Sequence, residues 1–333
     1  MTEIPQDSSS ELDLKSVRPT VWHRYLGVLL SISAVLYLPP LALVRMANYE
    51  QWCSTPDSPI LDYSFHTAGE NADIVIFGDS SAHHGLNPNL VTQSTGLKTV
   101  NLPGSLSELI IDDDMPLRYY LAHNRPPRLI VLYFTAWNFD YGHDDLSIDP
   151  TYDGMELLLR NGSSDQITRF AVRHPGYALQ FPLMFYRANL NSLLFRRKVL
   201  RDETEEVFAT HGHVDSIGLL HAASNCVIPD RLIKRIHSGT VEQLLGRYQS
   251  SQTKVLVYIA PIPGCANARA VINTTHRSIS FAPPRALPPN LFLDDAYYAH
   301  IFAEGVPLAT QDLVDAIRAE LVEPSTGLGR PRQ

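Results

Sequence analysis

Cysteine is scarce in this chain, with 3 in 333 residues, and the spacings of Cys53, Cys226 and Cys265 match no zinc site. Basic residues are outnumbered, 27 against 35 acidic ones, giving a net charge of -8 and a pI near 5.9. No basic stripe with interleaved aromatics occurs, so nucleic acid is not expected as a partner. No internal repeat is visible. Long apolar runs are also missing, with one exception. The 44% apolar content is otherwise spread through the chain and suffices for a substantial core.

The exception is Tyr25 to Val44, uncharged and mostly apolar, and about as long as a helix needs to cross ~30 Å of hydrocarbon. It reads as a transmembrane anchor over 25–45. Lys15, Arg18 and Arg24 precede it and only Arg45 follows closely, which predicts a cytoplasmic N-terminus and a main domain on the far side. A cleaved signal peptide is the competing reading, but the run is long and no small-residue cleavage site follows it. Pro39-Pro40 is expected to kink the helix or end it. The three cysteines all lie beyond the anchor. On an oxidising side, Cys226 with Cys265 is the expected pair, since Cys53 sits close to the membrane; unpaired buried or loop cysteines remain the alternative.

Residues 1–24 read as a disordered polar tail, 46–70 as a connector, 71–322 as the folded domain and 323–333 as a second tail. Within the domain, Ile74 to Phe77, Leu97 to Leu102, Arg128 to Phe134 and Lys254 to Ile259 have the apolar, partly β-branched character of buried strands. Helical patterns alternate with them: Asn87-Pro88 to about Thr95, Ser105 to His123, and Pro307 to Leu321. This alternation predicts an α/β fold with a parallel, doubly wound sheet. The interval of about 141–253 is less legible and reads as an inserted helical cap over the sheet's carboxyl edge. There Leu179, Phe181, Leu183, Met184, Phe185 and Tyr186 are expected to pack in a core, with an acyl pocket or a membrane-facing surface as alternatives.

Four short stretches fall where strands end or the last helix begins. Gly78-Asp79-Ser80-Ser81 follows the first strand and offers a hydroxyl nucleophile. Asn101-Leu-Pro-Gly-Ser105 follows the second and offers the Gly104 N–H, while Thr135-Ala-Trp-Asn138 follows the third and offers an amide. His300-Ile-Phe-Ala-Glu-Gly305 precedes the last helix and offers an imidazole base. Open α/β sheets place ligands at this rim.

With those residues in view, the chain resembles the SGNH, or GDSL-like, hydrolase superfamily over roughly 71–138 and 254–321. Gly78-Asp79-Ser80-Ser81 is similar to its nucleophile block, and His300 with Gly305 to its last block. Two departures stand out: Ala136-Trp137-Asn138-Phe139 replaces a Gly-x-Asn-Asp block, and Tyr297 occupies the usual aspartate position three before the histidine. The resemblance implies a three-layer, flavodoxin-like α/β/α domain with Ser80 as nucleophile and His300 as base. It also implies Ser80, Gly104 and Asn138 as oxyanion donors. With Tyr297 in the aspartate's place, a loop would have to bring Asp295 or Asp294, five and six residues before His300, to the ring, or else a backbone carbonyl would orient it. The layout looks like membrane-tethered SGNH-like proteins that work with membrane-bound O-acyltransferases. It implies an acylated carbohydrate or other ester as substrate, with no cofactor and no metal. A catalytically degenerate partner protein is the rival reading.

Each residue also has an ordinary role to fill. Ser80 and Ser81 could cap the helix that follows, and Asp79 suits a turn acceptor. Adjacent His83 and His84 face different ways on a helix, which argues against a metal pair. Asp112-Asp-Asp114 reads as a solvated charge run, and Asn161-Gly-Ser and Asn273-Thr-Thr as short sequon matches.

Overall fold

A computed structural model describes residues 19–46, 63–104, 114–138, 152–195, 204–215, 220–233, 239–278, 281–294 and 298–322. In chain order, α1 is Pro19–Val44, β1 Ile74–Gly78, α2 Ser80–Gly85, α3 Pro88–Thr95, β2 Thr99–Pro103, α4 Met115–His123 and β3 Leu129–Phe134. Next come α5 (Tyr152–Asn161), α6 (Ser164–Arg173), α7 (Pro175–Phe195) and α8 (Gly239–Tyr248). The chain then forms β4 (Lys254–Ile259), β5 (Ile262–Pro263), α9 (Ala268–Ser278), β6 (Ala286–Leu287) and α10 (Val306–Val322).

The main sheet is parallel throughout, in the order β2-β1-β3-β4. Every residue of β1, β2 and β3 is buried, because helices cover both faces. Val75, Phe77, Ile130, Leu132 and Val257 point to one side, where they meet Leu117 and Tyr120 of α4, Val241 and Leu244 of α8 and Val271 of α9. Ile74, Ile76, Val131 and Tyr133 point to the other and meet Val91 of α3 with Leu313, Val314 and Ile317 of α10. The two-residue alternation of a strand therefore divides one apolar run between two cores.

The chain first runs outward from β1 to β2, then crosses back to β3 on the opposite side of β1. That reversal is the switch point at which open α/β sheets take their ligands, at the carboxyl ends of β1 and β3, where Ser80 begins α2. Gly78 permits the close approach of the two strands, since a Cβ there would stand 1.9 Å from the Tyr133 carbonyl oxygen. Gly212 lies against β2 in a similar way. It has φ +101°, a Cβ would meet the Asn101 carbonyl oxygen at 2.1 Å, and the neighbouring His211 carbonyl accepts the Asn101 N–H at 3.0 Å.

The region between β3 and β4 divides in two. Helix α8, although placed in the expected insertion, joins the sheet's core through Val241 and Leu244. Helices α5, α6 and α7 instead form a cluster with the end of α1: Val44, Met155, Leu158, Phe170, Phe181 and Phe185 are buried together, with Met115 from α4. Their described packing is thus against the N-terminal helix. Helix α1 is long and apolar enough to cross a membrane and mostly exposed. It stays helical through Pro39-Pro40, so the helix does not end at the pair. Cys226 and Cys265 form a disulfide across 39 residues.

Candidate active site

Asp79 organises the carboxyl end of β1. It is the N-cap of α2, so the cap expected of Ser80 or Ser81 belongs to the aspartate, and Ser80 becomes the first helical residue. Its buried carboxylate accepts from the Ser81 N–H at 2.9 Å and the Ser81 hydroxyl on Oδ1. On Oδ2 it accepts from the Thr135 N–H at 3.0 Å, the Thr135 hydroxyl at 3.1 Å and Asn138 Nδ2 at 2.7 Å. Five donors to one carboxylate lock the end of β3 to the turn carrying Ser80.

His300 arrives from the far end of the domain. The backbone of Leu291 to Leu293 pairs with it: the Leu293 N–H donates to the His300 carbonyl at 2.9 Å and the Phe302 N–H to the Leu291 carbonyl at 2.9 Å. A turn closes the segment with the Gly305 N–H donating to the Phe302 carbonyl at 2.8 Å. A Cβ on Gly305 would stand 2.6 Å from Ile301 Cγ2, which gives the His300-to-Gly305 spacing a packing reason. This frame brings His300 Nε2 to 3.0 Å from Ser80 Oγ, across 220 residues of sequence. The Ser80 hydroxyl is thereby positioned to donate to a neutral Nε2, the geometry a nucleophile and base require.

The oxyanion donors expected at Gly104 and Asn138 need correction. The Gly104 N–H donates to the Gly78 carbonyl at 2.8 Å, extending the β1–β2 ladder by one step. Asn138 Nδ2 donates to Asp79, and Asn138 itself is buried in a 3₁₀ turn. Both groups stand at the correct rim, but as struts of it. The Ser80 N–H, at the first position of α2, is the donor that the helix itself does not use. Asp295 and Tyr297 lie outside the described residues, as do Cys53, Phe139 and most of the acidic run except Asp114. Asp114 is no solvated charge: it is wholly buried and paired with Arg118, Arg247 and Tyr248.

Sequence reasoning weighed His83 and His84 only as a metal pair and missed that they and His213 crowd the base. His84 stacks edge-on against His300 with ring centres 5.1 Å apart, and its Nδ1–H donates to the Val214 carbonyl at 3.0 Å. His213 contributes Nδ1 at 3.0 Å from the His83 carbonyl and Nε2 at 3.2 Å from Asp215. Asn101 Nδ2 joins the same segment, donating to the Ala82 carbonyl at 2.8 Å and the Gly212 carbonyl at 2.9 Å. Residues 211–215 thus wall one side of the site. Only the Gly212 breaker signalled a turn there, and nothing in the sequence signalled its location. His83 is fully buried, and burial, reinforced by the neighbouring histidines, pushes its pKa well below the ordinary imidazole value. Among the described residues no cluster of three metal-ligating side chains occurs.

Comparison with family models, curated proteins and solved structures finds no match to this chain.

Proposed function

We propose that this chain is a membrane-anchored, SGNH-like serine esterase or O-acyltransferase acting on acyl esters of cell-surface or extracellular carbohydrate. The observation that carries the reading is the 3.0 Å approach of Ser80 Oγ to His300 Nε2 at the carboxyl ends of β1 and β3. Ser80 attacks the ester carbonyl while His300 takes its proton, and the Ser80 N–H faces the developing oxyanion. His300 then returns the proton to the leaving alcohol, leaving an acyl-serine. Water as acceptor releases the acid; a sugar hydroxyl takes the acyl group instead.

The parallel order β2-β1-β3-β4, with helices on both faces, is that of a flavodoxin-like sheet over these strands and supports the SGNH reading of the fold. Helices α5 to α7 are then a helical insertion between β3 and β4. The disulfide favours an oxidising compartment. Together with Lys15 and Arg18 ahead of α1 and Arg24 in its first turns, it supports a cytoplasmic N-terminus and a periplasmic or extracellular domain.

One observation favours a second reading, a non-catalytic glycan-binding domain or partner of a membrane-bound O-acyltransferase. The Gly104 and Asn138 donors are already taken up inside the rim, and a single oxyanion donor is worth only about 3 kcal/mol. The test is fluorophosphonate labelling and aryl-acetate hydrolysis by the full-length protein in detergent. Modification of Ser80, with both signals lost in Ser80→Ala, is expected. Persistence of both in Ser80→Ala overturns the enzyme reading, and a wild-type chain inert in both assays favours the second.

A further inference from the structure

Helix α7 has two apolar sides, and among the described residues only one of them is packed inside the protein. Phe181 and Phe185 are buried against Val44 of α1 and its neighbours. On the other side Leu179, Leu183, Tyr186 and Leu190, spaced by four, three and four residues, line one face at the helical period and are 72, 73, 42 and 58% exposed. A helix apolar on both sides belongs in a protein interior or in lipid.

Its position relative to α1 decides between these. The Tyr37 hydroxyl donates to the Leu179 carbonyl at 2.8 Å, and Leu41 and Val44 pack into the same cluster as Phe181. Tyr37 lies seven residues before Val44, the last residue of α1, hence roughly 10 Å inside that end at ~1.5 Å per residue. The exposed stripe of α7 therefore continues the exposed apolar surface of α1 formed by residues such as Val35, Leu36 and Leu38. Exposed Gln180 and Arg187, seven residues apart, border the stripe with polar groups. Arginine in such a place keeps its head at the polar boundary while its stem lies along apolar surface.

We propose that α7 is a second membrane contact, seated in the far leaflet with Leu179, Leu183, Tyr186 and Leu190 against lipid acyl chains and Arg187 at the headgroups. The proposal rests on the membrane reading of α1 given above. It makes the domain a body set down on the bilayer at two places, and so favours ester substrates or acceptors held at the membrane surface.

The test uses the full-length chain with Cys53→Ser, reconstituted in vesicles of phosphatidylcholine and phosphatidylglycerol. Single nitroxide labels are placed through Leu183→Cys, Leu190→Cys, Leu30→Cys in α1 and Ser250→Cys on the polar surface, each variant first checked by circular dichroism. Collision rates with oxygen, which partitions into lipid, and with a water-soluble nickel chelate are read by paramagnetic resonance. Labels at 183 and 190 are expected to match position 30, with oxygen favoured and nickel excluded, and to reverse the order seen at position 250. A label at 183 that behaves like position 250 while position 30 stays in lipid overturns the second contact and leaves the anchor standing. Nickel access at position 30 removes the anchor and this proposal together. Exclusion of both reagents at 183 and 190 assigns the stripe to a protein partner or a second copy and overturns lipid as its occupant.

Discussion

Asp79 presents a concrete case of how much one side chain can hold. Replacing it by asparagine sets an amide donor among groups that are all donors, so Asp79→Asn is expected to destabilise the fold by about 3 kcal/mol, read as a shift in the urea midpoint at unchanged slope. His300→Gln removes the base but keeps a polar side chain at the rim. The rate of fluorophosphonate labelling at Ser80 should fall by on the order of 10²- to 10⁴-fold, with circular dichroism unchanged. His83 supplies a pH dependence. Its folded pKa is lowered, so below the ordinary value near 6.5 the unfolded chain binds a proton that the folded chain refuses. Its neutral burial is therefore tolerated in full above about pH 6.5, and stability is lost as pH falls below that, by at most about 1.4 kcal/mol per pH unit until the depressed pKa is reached. His83→Phe should flatten that part of a stability-against-pH curve.

At the scale of elements, β1 meets β3 so closely at Gly78 that Gly78→Ala must push the two strands apart. A loss of about 3 kcal/mol is expected by chemical denaturation, together with loss of Ser80 labelling because the turn moves with the strand. The disulfide closes 39 residues between the segment before α8 and the segment after β5; on loop entropy alone Cys226→Ala with Cys265→Ala should cost about 4 kcal/mol. The main strands and α3 and α10 were legible because their signals are local: unbroken apolar runs, Asn87 as a cap before Pro88, and a periodic face ending in Ile317. Helix α6 also carries a local signal in its Ser163 and Gln166 capping box. What stayed hidden depends on packing across long separations. The roles of Gly104 and Asn138 turn on which carbonyl or carboxylate their hydrogens meet, and the wall at 211–215 lies about 130 residues from His83 and His84. The partner of α7 was equally unreadable, because its apolar residues on two sides are compatible with either core or lipid.

For the whole molecule, α1 is part of the folded body as well as a candidate span. Its Leu41 and Val44 cover the cluster under Phe181 and Phe185, and Arg45 Nε donates to the Leu159 carbonyl at 3.0 Å. A chain lacking residues 1–46 should consequently need detergent to run as a monomer in gel filtration, although no charge or strand has been lost from the sheet. The margin of the sheet has a further consequence. Strand β2 is outermost, yet the backbone of 211–212 lies along it and takes the Asn101 N–H, an approach that Gly212 allows by having no side chain. A bulky residue there would lift that cover and leave open hydrogen-bonding groups that another copy could pair with. One added side chain in that wall would thus turn separate copies into a seed for fibres.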